Sequence, residues 1–560
     1  MALPFVGIFY QPWREKINNF IDWIRNSWLN RDLGKLLFLW LIIYTYFFSF
    51  YRLDNEIDVL PSALQFIDQS WLPNDWYLNL SIAYRQPFNL IAGSFITLLG
   101  FQYGAYFGRA VVYLLLSISL FIYIKTFRLR YTFALAGLLF FFKNQSLIAC
   151  EWIIAGFDTK TIAYSFVFLS LSNLYKKDYF KSFLFAGAAI SFHVLVGLHA
   201  LFCSGFVLLL TGNLVGQWRD ILRNSWVFPI TGIFGILAII QQLAPSSEID
   251  SAFAWKIYVE YRVPHHVLPS AWNGDWISLL AISTFFFIAI IVERKDSPSI
   301  RFIAGYSIGS LMLFLMGLLV FAFADPVFLR LYWFRFPDTI IPFSMCLLTM
   351  KILGDFAVSE CHSQKYAKAH FQIKRVIQLG IPILTSILLM IIFLNKGIYL
   401  SKTRLLDDWN SRGVTRSILT WINKNTDKGA VFLVYPGIQD FYLHAQRAMF
   451  VSYKHSPQSA VDIMEWYERI KLTNGGQFPS KRGFAALEEL EQNFYQLNEQ
   501  SILWLSKQYG ISYYLGKPLQ NLRFKRVYSD SYYTLYQLND HSQQEDQEEI
   551  PASLSKQKQR

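Results

Sequence analysis

Long apolar stretches separated by short polar connections dominate the first 400 residues of this chain. Many of them approach the roughly 20 residues that a helix needs to cross a bilayer. Eleven such stretches predict membrane-spanning helices at 35–52, 105–126, 131–147, 160–175, 181–196, 197–212, 225–243, 275–292, 301–323, 338–354 and 376–395. The pattern therefore predicts a polytopic α-helical membrane protein with about 11–12 transmembrane helices.

The stretch 87–100 is the uncertain member of this series, because it is short and contains glycine. Basic connections at 176–181, 293–301 and 365–375 mark the cytoplasmic side, since short cytoplasmic loops are rich in Lys and Arg. These connections place 53–86, 244–274, 324–337 and everything after 395 outside. If 87–100 spans, the basic connection 125–130 falls outside, against the rule. We favour re-entrance of 87–100, with an extra short span near 148–158 as the alternative.

Composition agrees with a membrane protein. The chain is 54% hydrophobic and 16% charged, whereas soluble domains carry about 25% charged residues. The net charge of +12 is explained by basic cytoplasmic connections, so we expect no nucleic-acid partner. The four cysteines have no metal-ligand spacing.

Three further regions flank the predicted membrane domain, which covers 35–396 with its outer loop at 53–86. Residues 1–34 mix aromatic and basic side chains and predict an amphipathic segment on the cytoplasmic surface. Residues 404–540 predict a soluble α/β domain outside the membrane, with a buried strand at 430–435 and helices at 407–423, 460–472 and 485–508. The Gln-, Glu- and Lys-rich tail 541–560 predicts disorder.

An acidic cluster directly after the first span is the strongest candidate for chemistry. Asp54, Glu56 and Asp58 lie at a membrane boundary, where a carboxylate is costly unless it faces water, a partner or a substrate. We predict that these three residues are catalytic. The alternative is a solvated loop.

Other candidates lie in or beside the outer loops, and each has a simpler structural explanation. Lys160 and Asp158 begin a span, where a lysine can also extend to the interface. His193 lies in apolar sequence, where a histidine can also bond a neighbouring helix. Guanidinium groups bind oxyanions, although an ion-pair network explains the same residues. The predicted substrate-binding residues are Lys160, Asp158, Arg262, His265, Arg330, Arg335 and His193.

In its order of features the chain resembles the membrane glycosyltransferases of the GT-C superfamily. A first span is followed by Asp54, Glu56 and Asp58, then by an outer loop and the entry sequence Gln86-Pro87-Phe88-Asn89-Leu90. A soluble α/β domain closes the chain, and its segments 426–435 and 447–469 resemble an uncharacterised bacterial branch of that superfamily. The resemblance covers most of the chain through loose motifs.

This resemblance implies an inverting glycosyl transfer on the outer face of a bacterial inner membrane. The donor would be a polyprenyl-phosphate sugar, and the acceptor a glycan, lipid or protein of the envelope. A first-loop acid would act as base or bind the sugar. A divalent cation, Mg or Mn, held by Asp54 and Asp58 is an open alternative, because hard cations take carboxylates. The competing hypothesis is a non-enzymatic carrier or scaffold of polysaccharide assembly.

Overall fold

The computed structural model describes residues 28–51, 53, 55–80, 85–243, 251–272, 274–294, 296–323, 326–359, 367–402 and 414–538. Most of the predicted segment 1–34 and the whole predicted tail 541–560 lie outside these residues. Within them, a helical bundle carries a small α/β domain at one end. We call the end of the bundle that contacts this domain the domain-bearing face. The predicted fold class, a polytopic helical membrane protein with a C-terminal α/β domain, is confirmed.

Helices occupy most of each predicted span. They are α1 (Trp28–Phe47), α2 (Glu56–Ile67), α3 (Gln86–Thr126), α4 (Tyr131–Lys143), α5 (Thr159–Tyr175), α6 (Tyr179–Phe192), α7 (Val194–Leu210), α8 (Asn213–Ser225), α9 (Val227–Thr231), α10 (Ile233–Leu243), α11 (Ser251–Lys256), α12 (Pro264–Val267), α13 (Trp276–Glu293), α14 (Pro298–Phe323), α15 (Arg335–Phe356) and α16 (Ala367–Lys402). Short irregular helices occupy Ile257–Arg262, Pro269–Ala271 and Pro326–Leu331. By length and apolar composition, five of the described helices are long enough to cross a membrane, and four more are apolar but shorter.

Helix α3 bends at Gly100, whose φ of +75° takes it out of the helical region. The part before the bend packs along α2, with Gly93 against the backbone of Ala63. This part starts at Arg85, which pairs with Asp58, and its bend lies beside the C-terminal domain. Both ends are therefore on the domain-bearing face, and the chain enters the bundle after Gly100.

Residues 144–158 form an irregular loop without a helix, so the alternative of an extra span near 148–158 is wrong. Asp338, in the first turn of α15, holds this loop. Its carboxylate accepts hydrogen bonds from the backbone N–H groups of Leu147 at 2.8 Å, Ile148 at 2.6 Å and Glu151 at 3.0 Å. A buried loop is stable only when its backbone groups are bonded in this way.

The C-terminal domain contains a five-stranded mixed sheet in the order β2–β1–β3–β5–β4. Strand β1 pairs in parallel with both β2 and β3. Strand β5 pairs antiparallel with both β3 and β4. The strands are β1 (Val431–Leu433), β2 (Ala448–Met449), β3 (Ile511–Gly516), β4 (Lys525–Ser529) and β5 (Thr534–Gln537). Its helices are α17 (Arg416–Asn425), α18 (Phe441–His444), α19 (Ala460–Thr473), α20 (Ala486–Phe494) and α21 (Glu499–Tyr509), with a short 3-10 helix at Gly483–Ala485.

The membrane part and the C-terminal domain share buried apolar contacts. One cluster joins Trp255 and Trp272 of the membrane part to Phe450 and Trp466 of the domain. Burial of large aromatic side chains is the main favourable contribution at such an interface. The domain is therefore packed onto the bundle and forms part of whatever site lies between them.

Candidate functional site

A cavity of about 320 Å³ lies between the bundle and the C-terminal domain. Its lining comes from the outer loop, the 144–158 loop, the turn between α6 and α7, the 326–335 segment and the domain. The charged and polar lining residues are Asn55, Asp58, Arg85, Glu151, Thr159, Lys160, Tyr164, Ser191, His193, His199, Gln242, Tyr258, His266, Arg330, Tyr332, Arg335, Lys454 and Gln458. Of the predicted site residues, this cavity brings together Asp58, Lys160, His193, Arg330 and Arg335.

Asp58 is the outer-loop carboxylate that faces the cavity. One of its oxygens accepts a hydrogen bond from the Tyr77 hydroxyl at 2.8 Å, and the other accepts from Arg85 at 2.9 Å. Burial raises the pKa of this carboxyl, but the Arg85 charge and the two hydrogen bonds outweigh burial, so the pKa falls to about 2. Asp58 is therefore ionised across the physiological pH range.

Arg85 is positioned by an unusual backbone. It precedes α3 with a φ of +73°, in the left-handed region that non-glycine residues seldom occupy. Such a conformation costs of order 1 kcal/mol or more and persists when surrounding contacts fix it. The ion pair with Asp58 is one such contact.

A second carboxylate, Glu151, lies between two cations. It pairs with Lys160 at 3.1 Å and with Arg335, and all three side chains line the cavity. Asp338 fixes the backbone of Glu151, so the loop that carries this carboxylate is tied to the helix that carries Arg335. One carboxylate, that of Glu151, is therefore shared between two cations.

Positive charge exceeds negative charge in this cavity. Within the described residues, five cationic side chains face the two carboxylates Asp58 and Glu151; they are Arg85, Lys160, Arg330, Arg335 and Lys454. The guanidinium of Arg330 lies 4.1 Å from the ring centre of Trp255, and no described carboxylate pairs with it. The surplus of positive charge favours an anionic ligand.

One wall of the cavity is apolar. Residues 192–198, at the turn between α6 and α7, contribute Phe192, Val194, Leu195, Val196 and Leu198, and Ile239 of α10 also lines the cavity. The predicted span boundary at 196/197 is three residues late, because the turn is at His193. This wall lies at the ends of membrane helices, where it is suited to an acyl or prenyl chain.

The C-terminal domain contributes the segment 452–458. Lys454 and Gln458 line the cavity, and His455 between them is buried. The Nε2 of His455 lies 2.9 Å from the carbonyl oxygen of Ile57, and its Nδ1 lies 2.8 Å from the Ser452 hydroxyl. Because a carbonyl can only accept, Nε2 carries the proton. Burial lowers the pKa of His455, which agrees with a neutral ring.

Glu56, predicted to be catalytic, lies outside the cavity. It is fully buried and forms an ion pair with Arg109, whose Nε donates to it at 2.7 Å. Its oxygens also accept from the backbone N–H groups of Leu53 and Phe157, both at 2.8 Å. With all these bonds made, the carboxylate holds the outer loop against α3.

Three other predicted residues also lie outside the cavity. Asp158 caps α5 by accepting from the backbone of Thr161 at 3.1 Å. Arg262 donates to the carbonyl oxygen of Lys454 at 2.8 Å. His265 packs on the Phe484 ring. These side chains support the residues that line the cavity.

Asp54, predicted to be catalytic and a metal ligand, lies outside the described residues. Within them, no group of three or more His, Cys, Asp or Glu side chains is arranged to hold a metal ion. Both oxygens of Asp58 already accept hydrogen bonds, one of them from a cation, and a second cation there would be repelled. A metal shared by Asp54 and Asp58 stays a prediction.

Several cavity residues were not selected from the sequence. They are Arg85, Glu151, Tyr258, His266, Lys454 and Gln458. Glu151 carried a usable signal, because it is an acidic residue within an apolar run. Lys454 and Gln458 carried no such signal in the sequence, because only the fold brings the C-terminal domain to the outer loop.

A family model, Domain of unknown function (DUF6798), matches residues 415–473. No curated protein matches the chain in sequence. The crystal structure of ArnT from Cupriavidus metallidurans in the apo state is similar with a TM-score of 0.44 and 11% identity, over 91% of this chain and 97% of that chain.

Two structures from Archaeoglobus fulgidus are also similar, each at 11% identity. One is the oligosaccharyltransferase tethered with an acceptor peptide, with a TM-score of 0.42 over 89% of this chain and 70% of that chain. The other is the oligosaccharyltransferase AglB in complex with an inhibitory peptide and a dolichol-phosphate, with a TM-score of 0.41 over 88% and 70%. These proteins are GT-C superfamily membrane glycosyltransferases, the superfamily that the sequence resembles. The likeness is one of overall arrangement.

Proposed function

We propose that this protein transfers a glycosyl group from a polyprenyl-phosphate donor to an acceptor on the domain-bearing face of the membrane. One observation carries the proposal: a single cavity at the ends of the membrane helices combines an ionised carboxylate, a surplus of cations and an apolar wall. A lipid-linked sugar phosphate has complementary parts, namely a prenyl chain, an anionic phosphate and a sugar.

The cations account for donor binding. Arg330, Arg335 and Lys160 line the same cavity as the apolar wall. A guanidinium binds phosphate oxygens in a two-pronged manner, and Arg330 has no competing carboxylate among the described residues. Lys454 brings a further charge from the C-terminal domain, so donor binding depends on that domain.

Asp58 accounts for the chemistry at the sugar. In an inverting transfer the acceptor oxygen attacks the anomeric carbon, while the bond from that carbon to the phosphate oxygen breaks and the polyprenyl phosphate leaves with the electron pair. Positive charge develops on the sugar ring, and a fixed carboxylate stabilises it. Asp58 also orients the acceptor by accepting its hydrogen bond.

The Asp58–Arg85 pair sets a condition on proton transfer. With a pKa of about 2, Asp58 is a weak proton acceptor while Arg85 is bound to it, because a base works best with a pKa near the working pH. A donor phosphate that attracts Arg85 would leave Asp58 a stronger base. Donor binding would then prepare the carboxylate for the acceptor proton.

The acceptor is an envelope glycan, lipid or protein, and the membrane is the inner membrane of a bacterium. The Lys- and Arg-rich connections of the membrane part support a reaction on the outer face, because they place the C-terminal domain outside the cytoplasm. The lipid bilayer and the lipid-linked donor are therefore the expected partners.

The proposal is tested with the purified full-length protein in lipid nanodiscs. Radiolabelled polyprenyl-phosphate sugars are supplied with an envelope extract, and both labelled product and released polyprenyl phosphate are measured. Asp58→Asn is compared with Asp68→Asn, a matched change at the exposed end of the same helix.

We expect transfer by the native protein and by Asp68→Asn, and loss of at least about 10²-fold in Asp58→Asn. Absence of transfer from every donor, with an extract that supports a known transferase, would favour the carrier or scaffold. Equal transfer by both variants would remove Asp58 from the mechanism.

A further inference from the structure

A second cavity, of about 380 Å³, lies on the domain-bearing face. It is formed between the bend of α3 and two elements of the C-terminal domain, α17 and α18. Its lining residues are Leu99, Gly100, Phe101, Gln102, Tyr103, Arg416, Thr420, Asn423, Lys424, Leu443, His444 and Gln446. Among the described residues, the two cavities have no lining residue in common.

The domain side of this cavity is polar and positively charged. Arg416, Thr420, Asn423 and Lys424 lie on one face of α17, because residues three, four and seven apart share a helix face. The two cations at the ends of this row lie eight residues apart, which is about 12 Å along a helix. No carboxylate from the described part of the chain lines the cavity.

The two domain elements that line the cavity, α17 and α18, are joined by hydrogen bonds. The side-chain amide of Asn423 donates to the carbonyl oxygen of His444 at 3.1 Å, and Arg447 donates to the carbonyl oxygen of Asn423 at 2.8 Å. Arg447 is buried, and its guanidinium also bonds the carbonyl oxygen of Thr426 at 2.7 Å. The C-terminal part of α17 is therefore fixed to α18 and to Arg447.

The bundle side of the cavity is apolar and leads to the lipid. Leu99 and Tyr103 line the cavity, and both are exposed. Leu98, just before the bend at Gly100, is 79% exposed, and Phe107, in the part that enters the bundle after the bend, is 48% exposed. In a helix that crosses a bilayer, exposed large apolar side chains contact lipid chains. The cavity thus opens where apolar lipid-facing surface meets fixed positive charge.

We propose that this cavity binds the phosphate-bearing headgroup of an anionic lipid in the leaflet on the domain-bearing side. The phosphate would be held by Arg416 and Lys424, while the first part of an acyl chain lies against Leu99 and Tyr103. Lys and Arg near an anionic membrane surface contribute to lipid attraction individually, and here two of them converge on one pocket. The proposal does not depend on the glycosyl transfer.

The test measures lipid retention by the full-length protein. Detergent-purified protein is titrated with phosphatidylglycerol or phosphatidylcholine, and bound lipid is counted by native mass spectrometry. The double variant Arg416→Gln/Lys424→Gln removes the charges, and Thr420→Trp fills the cavity at an exposed position without changing charge. Lys507→Gln/Lys525→Gln removes two exposed charges elsewhere in the same domain and is the control.

We expect the native protein and the control to retain phosphatidylglycerol in preference to phosphatidylcholine. Affinity for phosphatidylglycerol should fall by about tenfold or more in the double variant, from the loss of two cationic contacts, and Thr420→Trp should show a similar loss. Equal retention in all variants would overturn the proposal. Complete displacement of the lipid by millimolar inorganic phosphate would also overturn it, because it would identify a soluble phosphate ligand.

Discussion

The imidazole Nε2 of His455 donates a hydrogen bond to the carbonyl oxygen of Ile57 at 2.9 Å, across 398 positions of the chain. Ile57 directly precedes Asp58, the carboxylate that faces the central cavity. The C-terminal domain thus holds the backbone of the outer loop next to the proposed catalytic residue. The same segment of the domain places Lys454 and Gln458 in the cavity.

Replacing His455 tests this positioning role. His455→Leu should lower kcat by about tenfold with little change in donor KM, because Asp58 would lose its fixed position. His455→Gln keeps an N–H donor at this site and should retain most of the activity. Both rates are measured with a saturating donor, beside thermal unfolding of each variant. If both variants unfold at lower temperature yet keep the native kcat, His455 is structural without a positioning role.

Glu56→Gln tests whether Glu56 acts in structure or in catalysis. The substitution leaves Arg109 buried without its partner charge, and breaking one side of a buried pair costs about 3–5 kcal/mol. We expect a lower unfolding temperature, and a nearly native kcat in the protein that remains folded. A native unfolding temperature combined with a large loss of kcat would restore Glu56 to the catalytic residues.

Arg330→Gln tests the donor site. This guanidinium lines the cavity, and no described carboxylate pairs with it, so its loss should weaken phosphate binding more than it slows transfer. We expect donor KM to rise about tenfold with kcat within a few-fold of the native value. Arg523→Gln, whose side chain is 92% exposed on the C-terminal domain, is the control. An unchanged KM in Arg330→Gln would place the phosphate elsewhere.

A buried carboxyl at the junction of the outer loop and the domain predicts a dependence of stability on pH. Asp75 accepts from the backbone N–H of Met449 at 3.0 Å and from the Tyr442 hydroxyl at 3.1 Å. Burial raises its pKa to about 6, although these bonds and the charge of Arg469 lower it in part.

Because the folded pKa of Asp75 exceeds its ordinary value of 3.8, the folded protein binds this proton more tightly than the unfolded chain does. The contribution is therefore fully present below pH 3.8 and is lost as the pH rises to about 6, by about 3 kcal/mol. The pKa of Asp58 is shifted in the opposite direction, so Asp58 adds no dependence of stability on pH above pH 3.8. Unfolding temperatures measured from pH 4 to 7.5 should fall more steeply for the native protein than for Asp75→Asn. Parallel curves would contradict the assignment.

The membrane helices could be predicted from the sequence because each needs a long apolar stretch. Their ends could not always be predicted. The turn between α6 and α7 is at His193, inside an apolar run. In the C-terminal domain, the single helix predicted over 485–508 is two helices, α20 and α21, and Asn498 caps the second. Gly510 ends α21 in the left-handed region, with a φ of +64°.

The candidate site could be predicted only in part. Asp58 was selected because a carboxylate beside a membrane is costly without a role, and Arg330 and Arg335 were selected because guanidinium groups bind oxyanions. Pairs such as Glu151 with Arg335 and His455 with Ile57 join distant parts of the chain, and local sequence patterns carry no information about them. For the same reason, the sequence alone did not separate Glu56, which is buried in an ion pair, from Asp58, which faces the cavity.

The central claim is that Asp58 acts on a donor that the cavity already holds. Single-turnover transfer and donor binding should therefore be measured together for the native protein and Asp58→Asn in nanodiscs, with a polyprenyl-phosphate sugar as the donor. We expect Asp58→Asn to bind the donor within a few-fold of the native affinity, while release of polyprenyl phosphate slows by about 10²-fold or more. Native release by Asp58→Asn would contradict the account.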